Sequence, residues 1–287
     1  MIYDINELRE KTFSYSALSA FKKSPEHLLD YYMNRREPTK AQAVGSLLDR
    51  MILTPDDWEK FYVVAPQKPP FKKDLIEQYG KEEGAKLYTE KKEEYNKWLI
   101  ENQHKTIISE ADLKEAETIR DKVFDNEEAR EVLSRISSTQ KELRWTDKKT
   151  GIKMRGFMDG RGDGIILELK TTMDASLETF SKDAIKWGYP IQAATYSEAV
   201  KAIEFDFPDF YYLVVEKKAP YGISVFKADD DYLRWGKQEY RRLLDSLKYC
   251  LDNDKFKMSY GFYSAIETYQ TLSLPGWMYK KLDESDD

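Results

Sequence analysis

Three charged residues in the central part of the chain have types and spacing that could do chemistry together. Asp159 precedes Glu168 by nine positions, and Lys170 follows Glu168 by two. Two carboxylates that converge on one point repel each other unless a cation neutralises them, and Mg²⁺ prefers oxygen ligands of this kind. A neighbouring lysine could orient or deprotonate a water molecule and offset the charge of a phosphorane-like transition state. The spacing therefore indicates metal-assisted phosphodiester hydrolysis or, as the alternative, a surface hairpin with a cross-strand ion pair.

Two β-strands must position these residues. Asp163 and Gly164 separate two apolar runs, and an Asp-Gly pair in that place predicts a tight hairpin turn. In the second strand, Ile165 to Thr171, side chains alternate between the two faces, so the Glu and the Lys of the motif point the same way. Folding the first strand back brings the Asp beside them.

A helix is predicted after the hairpin, beginning at Tyr189-Pro190, and it places Gln192 and Tyr196 on one face because they are four residues apart. The order Asp, Glu-x-Lys-Thr-Thr and Gln-x-x-x-Tyr is similar to the core signature of the PD-(D/E)XK nucleases. The similarity is to the branch that includes RecB-type nuclease domains, Cas4 and the phage exonucleases of the RecE type. It covers roughly residues 14 to 200.

The resemblance implies a role for each residue of the motif. It implies five catalytic side chains, which are Asp159, Glu168, Lys170, Gln192 and Tyr196. The two carboxylates hold the metal together with the backbone carbonyl of Leu169, and the lysine positions and activates the attacking water. The glutamine and the tyrosine orient that water, the lysine or the scissile phosphate through side-chain hydrogen bonds.

The chain departs from the RecE-type pattern at two positions. Asp49, in the stretch Ala43 to Trp58, stands where that branch usually carries a histidine. Because aspartate is also a competent ligand for a hard cation, Asp49 is a further candidate metal ligand. Relatives carry a glutamate in the strand near Trp145, and the sequence leaves open whether Gln140 or Glu142 takes its place, since residues two apart share a face.

The resemblance and the motifs predict Mg²⁺ as the cofactor, with Mn²⁺ able to substitute. Cas4 relatives bind an iron–sulfur cluster through a cysteine before a proline and three cysteines near the C-terminus. Here Ser24 precedes Pro25 and Cys250 is the only cysteine, so a four-cysteine cluster is excluded. No glycine spacing of a Walker loop surrounds Lys170-Thr171, and ATP-driven activity is not expected.

The composition predicts one large α/β domain. The 287 residues are 41% hydrophobic and 14% aromatic, which suffices for a substantial core. The order of elements predicts a mixed central β-sheet flanked by helices, with a mainly helical region over 1–135, the core sheet and catalytic motifs over 136–226, and a C-terminal helical region and tail over 227–287. The acidic residues Asp283 to Asp287 are predicted to be a solvated tail.

No apolar run approaches the roughly 20 residues that a membrane span needs, and the first residues lack the charged-then-apolar pattern of a leader. We therefore expect no membrane association and a cytoplasmic protein, in a bacterial host cell if the gene is carried by a phage or prophage. The net charge of −6 argues mildly against binding to nucleic acid. Lysines nevertheless recur between Lys68 and Lys105, and the stretch Phe71 to Gln103 within this segment is predicted to be helical and largely exposed.

That lysine-rich segment has two interpretations. Its charges alternate in sign, which is typical of a solvated helix face. Alternatively it is an arm that lays lysines on DNA phosphates and offers tyrosine and tryptophan as stacking surfaces. The lysines concerned are Lys72, Lys73, Lys81 and Lys86.

The function that the resemblance implies is a Mg²⁺-dependent DNA exonuclease that acts at the ends of duplex DNA. It further implies 5′-to-3′ resection in phage-type recombination, a single-strand annealing recombinase as partner, and a homo-oligomer. One alternative is a Cas4-like or restriction-type endonuclease without an iron–sulfur cluster. The other is a catalytically silent fold that binds DNA ends.

Overall fold

The structure is a computed structural model, and it describes residues 3–34, 39–257, 273, 274 and 278. The predicted acidic tail, Asp283 to Asp287, lies outside the described residues. None of the helices in the described part of the chain combines the length and the apolarity that a membrane crossing requires.

Helices predominate in the N-terminal half of the chain and strands in the centre. The helices found in the described residues are α1 (Ile5–Glu10), α2 (Tyr15–Lys23), α3 (Pro25–Met33), α4 (Lys40–Leu53), α5 (Trp58–Phe61), α6 (Lys72–Tyr79), α7 (Lys81–Glu101), α8 (Glu110–Asp125), α9 (Glu127–Ser134), α10 (Leu177–Trp187), α11 (Tyr189–Glu204) and α12 (Asp230–Asn253). The strands are β1 (Tyr62–Val64), β2 (Thr106–Ile108), β3 (Ile136–Thr146), β4 (Lys153–Gly162), β5 (Ile165–Thr172), β6 (Asp209–Glu216) and β7 (Ile223–Lys227).

The chain forms two compact units. The first comprises Met1–Arg35, Thr146–Arg155 and Gln238–Asp287, and the second comprises Arg36–Trp145 and Gly156–Lys237. The expectation of a single domain over 1–287 stays a prediction.

Hydrogen bonds to backbone groups link segments of the first unit that are far apart in the sequence. Phe13 forms an isolated parallel bridge with Met154, and the Arg9 guanidinium donates two hydrogen bonds to the carbonyl of Leu251, at 2.8 and 3.0 Å. The hydroxyl of Ser24 accepts the N–H of His27 and so caps α3, whose first position is a proline, a residue that suits a helix start because it lacks an N–H.

The second unit contains a five-stranded sheet in the order β3-β4-β5-β6-β7. β4 and β5 pair antiparallel, β5 and β6 pair parallel, and β6 and β7 pair antiparallel. The parallel pair needs a long crossover, which α10 and α11 provide. The prediction of a mixed central sheet flanked by helices is confirmed.

Both faces of the central strands are buried, which explains why β5 is apolar along most of its length. One face packs against α10 and α11 in a cluster that includes Ile166, Tyr212, Val214, Phe180, Ala193 and Tyr196. The other face packs against α4, α8 and α9 in a cluster that includes Leu167, Leu169, Leu213, Leu48, Ile52, Ile119 and Val132. The sheet therefore holds β5 rigidly between two layers of helix.

The lysine-rich segment is helical and largely exposed, as predicted, and it forms the helices α6 and α7. Gly80 separates them with a φ of 86°, a conformation that only glycine adopts easily. The two backbones lie very close at Gly84, where a Cβ would come within 2.4 Å of the carbonyl oxygen of Leu75. The two helices thus form a tight helical hairpin.

Candidate active site

The predicted β-hairpin brings Asp159 and Glu168 together. β4 and β5 are paired through Gly160 and Leu167, and the next two residues outward are Asp159 and Glu168. Gly164 has a φ of 64° in the turn, a left-handed conformation that glycine adopts without strain. The nine-residue spacing in the sequence is therefore the spacing of two residues that face each other across a hairpin.

β4 is irregular at Asp159. Gly156 faces α11, because a Cβ there would lie 2.5 Å from the ring of Tyr196. Gly160 faces the opposite layer, where the side chain of Leu167 would lie 3.2 Å from its Cβ. Residues four apart share a face in a regular strand, so the alternation changes between these two glycines. Such irregularities re-aim a side chain next to functional sites, and here the side chain is that of Asp159.

At this point of the sheet the Asp159 carboxylate accepts a hydrogen bond in place of a backbone carbonyl group. Its Oδ2 accepts the N–H of Leu169 at 2.9 Å, and its own N–H lies 3.4 Å from Glu168 Oε1. A carboxylate therefore takes the hydrogen bond that a regular β4 would supply through a carbonyl group. The contact fixes the position of Asp159 relative to Glu168.

Glu168 lies at the centre of a buried hydrogen-bond network and is only 2% exposed. Its Oε2 accepts a hydrogen bond from Lys170 Nζ at 2.9 Å and another from Gln192 Nε2 at 2.8 Å. The Gln192 amide also lies 3.4 Å from the hydroxyl of Tyr196. The sequence prediction that Gln192 and Tyr196 share a helix face and approach the motif agrees with these contacts.

Burial raises the pKa of both carboxyls of the hairpin, and repulsion by Asp159 adds to the shift at Glu168. Burial raises the pKa of Glu168 to about 7, and the charge of Asp159 adds to the effect. Burial also raises the pKa of Asp159, although Lys170, the Leu169 N–H and Gln140 oppose the shift. The pair thus favours a form in which one proton is retained, which is the behaviour of two carboxylates that share a site.

Asp49 belongs to the same electrostatic cluster. It lies on α4, and burial together with the charges of Asp159 and Glu168 raises its pKa well above the ordinary value, while Lys170 opposes the shift. Local sequence gave no sign of this approach except the similarity of its surroundings to the RecE-type segment. A third carboxyl is therefore close enough to the hairpin pair to be repelled by it.

Lys170 is held as an ammonium ion. Burial by itself would lower its pKa, but the charges of Glu168 and Asp159 outweigh burial and raise it above the ordinary value. Its Nζ also lies 5.2 Å from the ring centroid of Tyr189, a cation–π contact. In this state the side chain can donate hydrogen bonds and cannot accept a proton.

The structure brings Gln140 rather than Glu142 to the site. The Gln140 amide lies 3.4 Å from Asp159 Oδ1, whereas Glu142 pairs with Arg144 at 2.6 Å. Gln140 has a φ of 50°, so the strand is not regularly extended there. The expectation that Gln140 and Glu142 face the same side assumed a regular strand, and this irregularity is the reason that it does not hold.

A family model described as a PDDEXK-like domain of unknown function (DUF3799) matches residues 14–261. The chain belongs to this family. The recognition of a PD-(D/E)XK-type chain from Asp159, Glu168 and Lys170 is thereby confirmed.

One solved structure agrees with this PDDEXK-like assignment at the level of fold. The crystal structure of a protein from Eubacterium rectale, assigned as an exonuclease, is 16% identical, covers 97% of this chain and 95% of that chain, and superposes with a TM-score of 0.57. A second structure, of the protein SSO0001, is 11% identical and covers 82% of this chain and 98% of that chain, but its TM-score of 0.26 is too low to compare folds. None of the curated protein sequences matches the chain.

The donor set of this PDDEXK-like site fits a hard divalent cation. Within residues 3–34 and 39–257, no three His, Cys, Asp or Glu side chains are already grouped to enclose a metal ion. Mg²⁺, however, is usually held by one or two protein carboxylates, with water and phosphate completing its shell. Asp159 and Glu168 supply that number of carboxylates, and burial raises the pKa of both, a cost that a bound cation would offset.

One residue of the PDDEXK-like site was not singled out from the sequence. Tyr189 lies three residues before Gln192 and seven before Tyr196, which is the spacing of one helix face, and its ring contacts Lys170. The helix begins with Gly188 in the left-handed conformation and a proline in its first turn, so its start is sharply defined. The 3-and-4 spacing is the signal that could have found Tyr189.

Proposed function

We propose that this chain is a divalent-metal-dependent deoxyribonuclease that hydrolyses phosphodiester bonds at the ends of duplex DNA. The observation that carries the proposal is the buried pair Asp159 and Glu168, with raised pKa values, beside the ammonium of Lys170. A repulsive buried pair costs folding free energy, and a catalytic site is where such a cost is useful. Membership of a PDDEXK-like family supports the same reaction class.

Asp159 and Glu168 would hold the cation, and Mg²⁺ is proposed because its ligands are oxygens, with Mn²⁺ as a substitute. A cation bound there would polarise the scissile phosphate and lower the pKa of a bound water molecule. Asp49 is proposed as a further ligand, since its charge interacts with both carboxylates. The backbone carbonyl of Leu169 stays a predicted ligand.

Lys170 is proposed to position the attacking water and to offset charge in the transition state. Its raised pKa favours these two roles over deprotonation of the water, because a group that stays protonated cannot take up a proton. Gln192 holds Glu168 by a hydrogen bond, and the Tyr196 hydroxyl lies next to the Gln192 amide. Both side chains therefore act as positioning residues for the carboxylate and for Lys170.

The finer features of the proposal come from the RecE-type resemblance. They are 5′-to-3′ resection in phage-type recombination, transfer of the remaining strand to a single-strand annealing recombinase, assembly into a homo-oligomer, and a cytoplasmic location. The PDDEXK-like family and the fold of the Eubacterium rectale protein are compatible with these features, and each needs its own experiment.

The proposal is tested by incubating the chain with linear and with closed circular duplex DNA, in Mg²⁺ and in EDTA. Loss of the linear DNA alone, and only with Mg²⁺, is the expected result. Labelling the 5′ and the 3′ ends separately then reads the polarity. If cleavage persisted in EDTA, the reaction would not depend on a divalent cation.

Two rival functions give different results in the same experiment. A Cas4-like or restriction-type endonuclease would nick or linearise the circles. A catalytically silent DNA-end-binding module would leave both DNAs intact and yet retard the linear one in a gel. The intact Asp159, Glu168 and Lys170 argue against the silent module, because a pure binder gains nothing from a repulsive carboxylate pair.

A further inference from the structure

A groove lies between α7 and the segment that connects β1 to α6. It has a volume of about 550 Å³, and its lining includes Pro66, Lys68, Lys91, Glu94, Tyr95 and Trp98. Pockets of roughly 300–1,000 Å³ accommodate small ligands such as a nucleotide. This groove is formed by residues that the proposed catalytic site does not use.

The walls of the groove suit a flat, aromatic ligand. The rings of Tyr95 and Trp98 are stacked, with centroids 6.1 Å apart and an interplanar angle of 28°. Both side chains are half-buried, so each keeps part of its surface accessible. The facing segment carries prolines, which lack an N–H and present a stiff apolar surface.

The lysines of the groove differ in their pairing from two other lysines of α7. Lys86 and Lys97 each lie within 4.0 Å of a glutamate one helical turn further on, the arrangement of a solvated face. Among the residues that the structure describes, Lys68 and Lys91 form no ion pair, and both are exposed. Glu94 is the single acidic residue of the lining, so the groove carries a small net positive charge.

We propose that this groove binds unpaired nucleotides of a DNA strand. Bases stack on Tyr95 and Trp98, and Lys68 and Lys91 contact the phosphates on either side. Stacking on aromatic side chains combined with nearby cations is the general mode of single-strand binding, and it needs no sequence preference. A duplex is excluded because its bases already stack on one another. The choice of DNA as ligand rests on the proposed nuclease function.

The proposal is tested by the binding of a fluorescein-labelled oligothymidylate, measured by fluorescence anisotropy without divalent metal. The full chain with Glu168→Gln serves as the parent, since cleavage is blocked in it. Trp98→Ala should weaken binding roughly tenfold or more, as expected for the loss of one stacked base. Lys68→Ala and Lys91→Ala should weaken it severalfold and reduce its salt dependence by about one phosphate contact each.

Two further variants make the test specific. Lys97→Ala, on the same helix but paired with a glutamate, is the matched control and should leave the affinity unchanged. Glu94→Gln should strengthen binding, because it removes the one negative charge that repels the phosphates. Exposed lysine variants keep the test informative if Trp98→Ala fails to fold.

The outcomes separate this proposal from the nuclease proposal. Unchanged affinity in the Trp98, Lys68 and Lys91 variants, or no oligonucleotide binding by the parent, overturns the groove proposal even if the wild-type chain cleaves DNA. Binding that depends on Trp98 in a chain that never cleaves DNA overturns the nuclease proposal and leaves the groove proposal standing. A groove that binds a proline-rich peptide and no oligonucleotide overturns the choice of ligand.

Discussion

Two buried carboxylates of this protein behave in opposite ways. Asp147 in the first unit is 9% exposed and Glu168 in the second is 2% exposed. Burial opposes ionisation of both, yet the pKa of Asp147 is lowered to about 2 whereas that of Glu168 is raised to about 7. Asp147 accepts two hydrogen bonds from Arg241, at 2.6 and 2.9 Å, and the hydroxyl and N–H of Thr150.

The difference lies in the neighbours of each carboxylate. The bidentate guanidinium and the local donors stabilise the charged form of Asp147, so that carboxylate contributes to folding. Glu168 has Lys170 and Gln192 as donors, but Asp159 repels its charge. The hydrogen bonds around Asp147 stabilise its charge without any further ligand. The charge of Glu168 would gain stability from a bound cation. The comparison supports the proposal that the second carboxylate is the functional one.

The largest expected effect comes from Glu168→Gln. The amide keeps the shape of the side chain and removes a negative metal ligand, so we expect cleavage of end-labelled duplex to fall by about 10²-fold or more. Because the repulsion of Asp159 is also removed, duplex binding should be retained or improved. Near-normal cleavage by this variant would refute the metal site.

Asp147→Asn is the matched control for that variant, since it makes the same chemical change at the stabilised carboxylate. It should leave cleavage unchanged under conditions in which the chain is folded. A comparable loss of cleavage in both variants would remove the functional distinction between the two carboxylates.

Lys170→Ala should reduce turnover by about 10²-fold, because the transition state loses a hydrogen-bond donor and a positive charge. The ammonium is not a metal ligand, so the affinity for Mg²⁺ measured by calorimetry should stay the same or rise. Loss of Mg²⁺ binding in this variant would show that Lys170 is structural instead.

Asp147→Asn should lower the free energy of unfolding at neutral pH by roughly 2 kcal/mol. The pKa of Asp147 in the folded state is about 2, below the roughly 3.9 expected for the unfolded chain. The contribution is therefore present above about pH 4 and is lost as the pH falls toward 2. Denaturant unfolding at several pH values checks this: the difference between wild type and variant should shrink with acidification. A difference that does not change between pH 7 and pH 3 would contradict the assignment.

A smaller effect is expected at Asp49, which adds a third carboxyl to the repulsive pair. Mg²⁺ should raise the melting temperature of the wild type in a concentration-dependent way, and Asp49→Ala should reduce both that increase and the cleavage rate. Asp49→His should shift the metal preference toward Mn²⁺, because imidazole favours softer cations than a carboxylate does. If the Mg²⁺ titration and the cleavage rate of Asp49→Ala were unchanged, Asp159 and Glu168 would be the only carboxylate ligands of the metal.

The smallest effect is expected for Gln140→Ala. Its amide lies 3.4 Å from Asp159, a long hydrogen bond, so cleavage should fall by only about two- to fivefold. Glu142→Gln is its control and should have no effect, because Glu142 pairs with Arg144. If Glu142→Gln reduced cleavage more than Gln140→Ala does, Glu142 would be the site residue of this strand.

The local arrangement of the site was predictable from the sequence because it depends on short-range periodicity. Asp163-Gly164 defines the hairpin, the alternation in β5 pairs Glu168 with Lys170, and helical spacing pairs Gln192 with Tyr196. Each of these relations joins residues of one strand, one helix or one tight turn. Backbone geometry restricts such residues to very few relative positions.

Other features of the site depend on contacts between distant parts of the chain, and only the tertiary structure determines them. The approach of Asp49 depends on how α4 packs on the sheet, and the choice of Gln140 depends on a left-handed residue that alternation rules do not foresee. The lowered pKa of Asp147 depends on Arg241, which is distant in sequence, and the raised pKa of Glu168 depends first on its burial within the fold. Electrostatic energy depends on distance in space and on burial, and for residues far apart along the chain the fold alone sets both.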